Sequence, residues 1–183
     1  STTLEKDEDE LFKLWELKVG KKIILFPGRL TSWKGQEMFL DAINKVNIRL
    51  GHDAFIAVIL GSDQGRDLYK KKLIRLVEQY RLNNQVKFIE HCKNMPVAYK
   101  ISDIVVSASI EPESFGRISV EAQSMQKPIL ASNIGGSKET IIDNKTGILF
   151  EAGNSEEMSK KIIELLNLDE STVNQMGIEG RKN

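Results

Sequence analysis

The chain has little of several residue types on which common kinds of site depend. A single cysteine among 183 residues excludes an intramolecular disulfide, and two histidines, His52 and His91, are too few for a dedicated zinc cluster. Lysine plus arginine and aspartate plus glutamate both number 26, so the formal net charge is zero and no overall field would recruit nucleic acid. The sequence therefore predicts neither a redox or structural zinc protein nor a nucleic-acid-binding one.

Long hydrophobic runs are also missing. The longest uninterrupted apolar segment, residues 54–60, is too short to cross a bilayer, and no basic-then-apolar leader opens the sequence. Four prolines and 13 glycines exclude a collagen-like or wholly disordered chain, whereas 40% apolar residues can form the core of one domain. We therefore expect a cytoplasmic globular protein.

Short apolar runs rich in β-branched residues alternate with amphipathic stretches over most of the chain. The runs predict buried strands at residues 23–26, 55–60, 86–89, 104–106, 129–131 and 148–150. The amphipathic stretches predict helices over 36–50 and 67–80, with further helices starting at Pro96, Gly116, Ser137 and Ser155. Because parallel strands are joined by crossover helices, this alternation predicts a Rossmann-like α/β fold, a doubly wound parallel sheet with helices on both faces.

The first 20 residues differ from the rest. Five acidic residues within 1–10 favour a solvated linker between domains, and apolar residues then recur at helical spacing. The apolar stripe of this short helix consists of Leu11, Leu14, Trp15 and Leu17. We expect residues 1–20 to be a linker with a short helix and 21–183 to be one domain. Since the chain opens at Ser1 and its last residues read as helix, we expect a fragment of a longer protein.

Two cations follow the first predicted strand. Open α/β sheets bind ligands beyond the carboxyl ends of their strands, where the strand order reverses. Gly28 and Gly35 bracket a loop that carries Arg29 and Lys34, and a guanidinium beside an ammonium suits a diphosphate. Arg29 and Lys34 are therefore the predicted anion clamp. The alternative is that both are ordinary surface charges.

Two carboxylates flank the start of a predicted helix after the fourth strand. Glu113 precedes this helix and Glu121 lies about one turn inside it. The amides of Phe115 and Gly116 can face an anion, and Gly116 would let a ligand approach the backbone closely. A carboxylate only accepts hydrogen bonds, so each glutamate is better suited to sugar hydroxyls than to phosphate. Alternatively, Glu113 is a helix-dipole partner and Glu121 an exposed helix residue.

Other loops at the same edge leave more than one interpretation open. Gly135 and Gly136 either make room for a ligand or form a tight strand-to-helix turn. His91 is a candidate base, although a loop histidine after a strand is more often structural or solvated. The sequence has no Gly-x4-Gly-Lys-Ser/Thr loop and no Gly-x-Gly-x-x-Gly after the first strand, which disfavours an ATPase or a dinucleotide-binding enzyme.

Several short motifs follow one another after Lys22. They are Gly28-Arg29-Leu30 with Lys34-Gly35, Val86-Lys87-Phe88, Glu113-Ser114-Phe115-Gly116 with Glu121-Ala122, and Pro128-Ile129-Leu130-Ala131-Ser132 with Gly135-Gly136 and Glu139. In combination they resemble the C-terminal, donor-binding half of glycosyltransferase family 4 enzymes of the GT-B architecture. The resemblance continues through residues 146–149 to Met176-Gly177 and Gly180-Arg181.

This resemblance implies a function and a set of site residues. Enzymes of the family transfer a sugar from a nucleotide-diphosphate donor, such as a UDP- or GDP-sugar, with retention and normally without a metal ion. The implied catalytic residues are Glu113, Arg29 and Lys34. By position, Arg29 and Lys34 would bind the diphosphate, Glu113 the sugar hydroxyls, Glu121 the ribose and the amides of Phe115 and Gly116 phosphate or sugar, while Ile89 and His91 would lie near the base.

The resemblance also implies a partner domain. Family members hold a glycan or lipid-linked acceptor in an N-terminal domain that has no counterpart here, so we expect this chain to bind donor but scarcely to transfer it. A role in surface polysaccharide or lipopolysaccharide synthesis follows, with peripheral contact at the inner face of the membrane in the full-length protein. Glu90 replaces a glycine common in the family, which could alter contacts to the base. Two alternatives stay open: a non-catalytic donor-binding or interaction module, and a GT-B sugar-nucleotide epimerase.

Overall fold

The apolar runs of the sequence form one parallel sheet. A computed structural model describes the backbone of residues 3–183 and the side chains of residues 6–183. Within this range the strands are β1 (Lys22–Pro27), β2 (Phe55–Leu60), β3 (Val86–Ile89), β4 (Ile104–Ser107), β5 (Ile129–Ser132) and β6 (Ile148–Phe150), in the spatial order β3-β2-β1-β4-β5-β6. The register pairs Leu25 with Val58 on one side and with Val105 on the other. The predicted strand positions are confirmed to within one residue at each end.

Helices cover both faces of this sheet. They are α1 (Thr3–Leu14), α2 (Gln36–Leu50), α3 (Asp67–Gln79), α4 (Met95–Ile101), α5 (Arg117–Ser124), α6 (Ser137–Thr140), α7 (Ser155–Asn167) and α8 (Glu170–Lys182). Side chains of α2, α3 and α7 pack on one face with Ile24 and Phe26, while α1, α4 and α5 pack on the other with Ile23 and Leu25. Successive residues of β1 thus point to opposite cores, which is why the whole run is apolar. The predicted doubly wound α/β fold is confirmed.

The acidic start of the chain is helical. The helix α1 begins at Thr3, ahead of the apolar stripe, and residues 1 and 2 lie outside the described residues. Leu11 and Trp15 of the predicted stripe are buried, and Glu8 forms an ion pair with Lys100 of α4. The prediction that Leu14 shares this buried stripe is wrong, because Leu14 is 70% exposed and Leu11 with Trp15, one turn apart, supply the contact.

The strand order creates a crevice beside β1. The chain leaves β1 toward β2 on one side, whereas β4 continues to β5 on the other, so the order of the strands reverses between β1 and β4. The loops that follow these two strands are residues 28–35 after β1 and residues 108–116 after β4. Gly35 lies against the second loop so closely that a Cβ there would be 2.0 Å from the Ala108 carbonyl oxygen. The two loops that carry most of the predicted site residues therefore meet at the reversal of strand order.

None of the helices in the described part of the chain has the length and apolar character needed to span a bilayer.

Candidate functional site

A cleft of about 520 Å³ opens at the crevice between the β1 and β4 loops. The predicted site residues that line it are Arg29, Lys34, His91, Glu113 and Glu121. They come from four separate segments of the chain, so the fold brings both predicted cations and both predicted carboxylates to one groove. The remaining predicted residues, Ile89, Phe115 and Gly116, lie outside the lining of this cleft.

Lys34 forms an ion pair with Glu113, and both residues were predicted to bind the nucleotide sugar. A 3-10 turn, Ser32–Lys34, carries it, and Gly35 in the left-handed region closes the turn. The Nζ atom lies 2.7 Å from Oε1 of Glu113 and 4.6 Å from the centroid of the Trp33 ring. The two charged side chains are only 11% and 20% exposed. The ammonium group of Lys34 is therefore fixed in place by its ion pair with Glu113.

Glu113 is held from two sides. The Ser109 hydroxyl donates to the same Oε1 atom that Lys34 contacts. Ser109 is buried two residues after β4, so this hydroxyl has a fixed position. Within the described residues no hydrogen bond reaches the other oxygen, Oε2. Glu113 can therefore accept hydrogen bonds from a ligand through Oε2 without losing its internal partners.

Arg29 differs from Lys34 in exposure and in its partners. Its backbone carbonyl accepts a hydrogen bond of 2.8 Å from Nε2 of Gln36, which anchors the loop. The guanidinium is exposed at the cleft, and among the described side chains no carboxylate forms an ion pair with it. A planar cation with unused donors at the edge of a cleft is suited to bidentate contact with a diphosphate.

Glu121 has an internal partner that the sequence did not predict. The buried hydroxyl of Tyr99, on α4, donates to Oε2 of Glu121 over 2.6 Å. Burial, followed by the Glu121 carboxylate, raises the pKa of Tyr99 well above its ordinary value. The phenol consequently remains a proton donor at neutral pH. A tyrosine within the apolar stripe of a helix gives no sequence signal of this role.

Arg117 and Trp33 also line the cleft and were missed. Arg117 is the first residue of α5, directly after Gly116, and its exposed guanidinium stands on the same wall as Glu121, one turn further along the helix. Its place beside the predicted anion-facing amides was a signal that could have identified it. Glu90, the departure from the family pattern, also faces the cleft and pairs with Lys70 of α3.

The glycine pair after β5 supports the Glu113 loop. The Gly136 amide donates to the Glu113 carbonyl over 2.7 Å, and a Cβ at Gly136 would lie 2.3 Å from the carbonyl carbon of Phe115. Gly116 has a φ of +65° and lies against the same turn, since a Cβ there would be 3.0 Å from the Ser137 amide nitrogen. Of the two interpretations of Gly135 and Gly136, the geometry favours a tight turn that packs on neighbouring backbone.

Among the side chains of residues 6–183, no group of three or more histidine, cysteine, aspartate or glutamate residues is arranged to hold a metal ion.

The fold has counterparts in known proteins. A glycosyltransferase from Rickettsia africae is 31% identical and superposes with a TM-score of 0.92, covering 100% of this chain and 47% of that one. Anabaena Alr3699/HepE, solved in complex with UDP-glucose, is 25% identical with a TM-score of 0.88 over 100% of this chain and 48% of that one. The C-terminal domain of a group 1 family glycosyl transferase, LpcC from Francisella tularensis, is 27% identical with a TM-score of 0.81, covering 96% of this chain and 89% of that domain.

Sequence comparison also finds glycosyltransferases. The capsular polysaccharide biosynthesis glycosyltransferase CapM of Staphylococcus aureus is 26% identical over 160 residues, which are 87% of this chain and 40% of that protein. The chain thus spans less than half the length of the curated relatives it matches. Residues 7–183 match the family described as Glycosyl transferases group 1. The chain belongs to this family, glycosyltransferase family 4, and corresponds to the C-terminal half of its GT-B members.

Proposed function

We propose that this chain is the donor-binding domain of a retaining glycosyltransferase that takes a sugar from a nucleoside diphosphate. The observation that carries the proposal is the meeting of Arg29, Lys34, Glu113 and Glu121 in one cleft at the carboxyl edge of the sheet. Two cations can hold a diphosphate. Two carboxylates, which only accept hydrogen bonds, can hold the hydroxyls of the sugar on one side of the diphosphate and of the ribose on the other. The similarity to a protein that binds UDP-glucose supports the same class of ligand.

The cations also have a role in the reaction. When the bond from the sugar to the diphosphate breaks, negative charge grows on the departing phosphate oxygens. The ammonium of Lys34, held by Glu113, is a preorganised donor to this charge, and the exposed guanidinium of Arg29 adds a second positive charge beside it. Glu113, anchored by Lys34 through Oε1, would hold the sugar hydroxyls through Oε2. Glu113 would thus fix the position of the sugar relative to Lys34, which lies beside the departing diphosphate.

Glu121 would bind the ribose, on the opposite side of the diphosphate from Glu113. Arg117, one helical turn before Glu121, adds a third cation to the same wall and is suited to the phosphate next to the ribose. His91 lies at the end of the cleft nearest β3 and would contact the base. This arrangement distributes sugar, diphosphate, ribose and base along one groove.

The acceptor belongs to the part of the enzyme that this chain does not include. We infer that a glycan or lipid-linked acceptor binds an N-terminal domain that closes over the donor. The similarity to CapM supports a pathway of surface polysaccharide synthesis. A lipid-linked acceptor would bring the full-length enzyme to the inner face of the membrane.

Nucleotide-sugar titration tests the proposal. We expect UDP- or GDP-sugars to raise the melting temperature of the 183-residue chain, since a ligand that favours the native state stabilises it by mass action. The panel should include both bases with several hexoses, because hexose epimers differ by one hydroxyl. Failure of every nucleotide sugar to bind at millimolar concentration would contradict the proposal.

Charge reversal at Arg29 provides a sharper test. Arg29→Glu should weaken binding of the best nucleotide sugar by roughly 10- to 100-fold, because it removes a charge-assisted contact to phosphate. Since Arg29 is exposed, the melting temperature of the free protein should hardly change. The matched control is Arg75→Glu, which reverses an exposed arginine of α3 outside the cleft lining. If calorimetry gives equal affinities for the two variants, Arg29 does not bind the diphosphate.

The full-length protein separates the two alternative functions from transfer. A non-catalytic module would bind donor but neither transfer its sugar nor hydrolyse it. An epimerase would convert the donor in the absence of any acceptor. Product analysis after incubation with donor alone and with a glycan acceptor therefore distinguishes all three functions.

A further inference from the structure

Tyr99 is a buried residue of the helical layer with its polar end at the cleft. Its side chain packs in the core between the sheet and α1, α4 and α5, and the residue is 2% exposed. Its hydroxyl donates to Oε2 of Glu121 over 2.6 Å, and the same residue lines the cleft. A hydroxyl fixed by a packed aromatic ring is a rigid point in an otherwise exposed wall. The proposed function makes no use of this residue.

The hydrogen bond determines how Glu121 presents its carboxylate. An ionised carboxylate has about four acceptor positions on two oxygens, and Tyr99 occupies one of them on Oε2. Among the described residues no other hydrogen bond reaches this carboxylate, so Oε1 and the second position on Oε2 are available to the two hydroxyls of a vicinal diol. A free glutamate on a helix surface samples many rotamers, whereas one held through an oxygen has fewer to lose when a ligand binds. Tyr99 therefore reduces the ordering cost of diol binding.

Tyr99 is suited to this role over the whole neutral pH range. Burial and the neighbouring Glu121 carboxylate both raise the pKa of its phenol, and Arg117 opposes them only in part. The phenol stays protonated, so the hydrogen bond always runs from Tyr99 to Glu121. An ionised carboxylate only accepts hydrogen bonds, so the Tyr99 hydroxyl is the donor of this pair, and Glu121 keeps its other acceptor positions for a ligand.

We propose that Tyr99 is a positioning residue that orients Glu121 and thereby sets a preference for ribose over 2-deoxyribose in the bound nucleotide. The inference rests on the proposed function, in which Glu121 binds the ribose. Tyr99 makes no contact with the donor in this scheme and acts only through the carboxylate. Loss of the Tyr99 hydroxyl should therefore weaken the binding of the ribose hydroxyls more than the binding of the phosphates.

The test compares UDP with 2′-deoxy-UDP by calorimetry on the 183-residue chain. Wild-type protein should bind UDP about tenfold more tightly than 2′-deoxy-UDP, the value expected for one hydrogen bond to a charged group. Tyr99→Phe should weaken UDP binding about fivefold and leave 2′-deoxy-UDP nearly unchanged, so that the preference falls to about twofold. Tyr80→Phe is the matched control, because Tyr80 also faces a carboxylate, Asp41, at a place away from the cleft. This control should keep the wild-type preference.

A second variant keeps the test decisive if Tyr99→Phe folds poorly. Glu121→Asp retains the carboxylate but withdraws it by one methylene from both the Tyr99 hydroxyl and the ribose, and should reduce the preference in the same way. Circular dichroism and thermal unfolding verify that each variant is folded. A folded Tyr99→Phe protein, or a folded Glu121→Asp protein, with the full preference for UDP would overturn the inference.

Glu121→Gln separates failure of this inference from failure of the proposed function. If Glu121→Gln loses the preference and Tyr99→Phe keeps it, Glu121 binds ribose without help from Tyr99 and only the positioning role is refuted. If Glu121→Gln also keeps the preference, the ribose role of Glu121 fails, and the positioning role of Tyr99 fails with it. Binding that still depends on Arg29 would leave the diphosphate part of the proposed function in place.

Discussion

Gly35→Ala should destabilise the domain by about 4 kcal/mol and lower its melting temperature by about 10 °C. Two effects add at this position. Gly35 has a φ of +82°, and an alanine is less stable than a glycine in this left-handed conformation. The added Cβ would also lie 2.0 Å from the Ala108 carbonyl oxygen. The obstacle is backbone rather than a flexible side chain, so relief requires the β1 and β4 loops to separate. A loss of this size is a large share of the 5 to 15 kcal/mol that is typical of a domain's total stability.

Gly153→Ala isolates the cost of the conformation from the cost of the contact. Gly153 has a φ of +84°, but a Cβ there would meet nothing within 4 Å. Its replacement should cost only about 1 kcal/mol, measured by urea unfolding alongside Gly35→Ala. Equal losses in the two variants would mean that the loops separate freely. In that case the close approach of Gly35 to Ala108 does not hold the cleft together.

Lys34→Gln should affect both stability and donor binding. The variant leaves the Glu113 carboxylate, only 20% exposed, without its ammonium partner, which should cost about 2 kcal/mol of folding free energy. Affinity for the nucleotide sugar should fall by about 100-fold, because a fixed cation is lost and Glu113 is no longer neutralised beside the diphosphate. Urea unfolding and calorimetry measure the two effects separately.

The double variant Lys34→Gln with Glu113→Gln distinguishes the two roles of the pair. Removing both charges should restore stability to within about 1 kcal/mol of wild type, because no unpaired charge remains buried. Donor binding should stay lost, since neither the cation nor the sugar-binding carboxylate is present. Lys72→Gln is the control, because Lys72 pairs with Glu37 at an exposed site, 59% and 35% accessible, where ion pairs contribute less than about 1 kcal/mol. Recovery of binding in the double variant would show that the Lys34–Glu113 pair lies outside the donor site.

Hydrophobic patterns in the sequence predicted most of the fold correctly, because the burial of a strand or helix is reflected in its own residues. A continuous run such as residues 55–60 is buried on both faces wherever the strand lies in the sheet, so its position in the chain is readable without the structure. The helix α1 shows where such reasoning stops. Its acidic first turns have no apolar stripe, and contacts with α4, including the Glu8–Lys100 pair, accompany a helix that starts at Thr3.

The site was predictable only in its chemical composition. Cations and carboxylates in the loops that follow strands could be recognised from residue type and position, since parallel strands bring their carboxyl ends to one edge. Tyr99 could not be recognised, because its neighbours in the helix make it look like an ordinary core residue. The exclusion of Phe115 and Ile89 from the cleft lining was equally unreadable, since it depends on how each loop turns after leaving its strand.

The sequence by itself determined the alternation of strands and helices, the apolar core and the chemical types available at the ligand-binding edge. These follow from periodicity and from the side chains themselves, which act over a few residues. Only the tertiary structure decided that β1 lies beside β4, that Lys34 meets Glu113 across 79 positions of the chain, and that Tyr99 holds Glu121. The physical reason is that such partners are selected by the packing of distant segments, where backbone approaches such as Gly35 on Ala108 fix distances that no local pattern encodes.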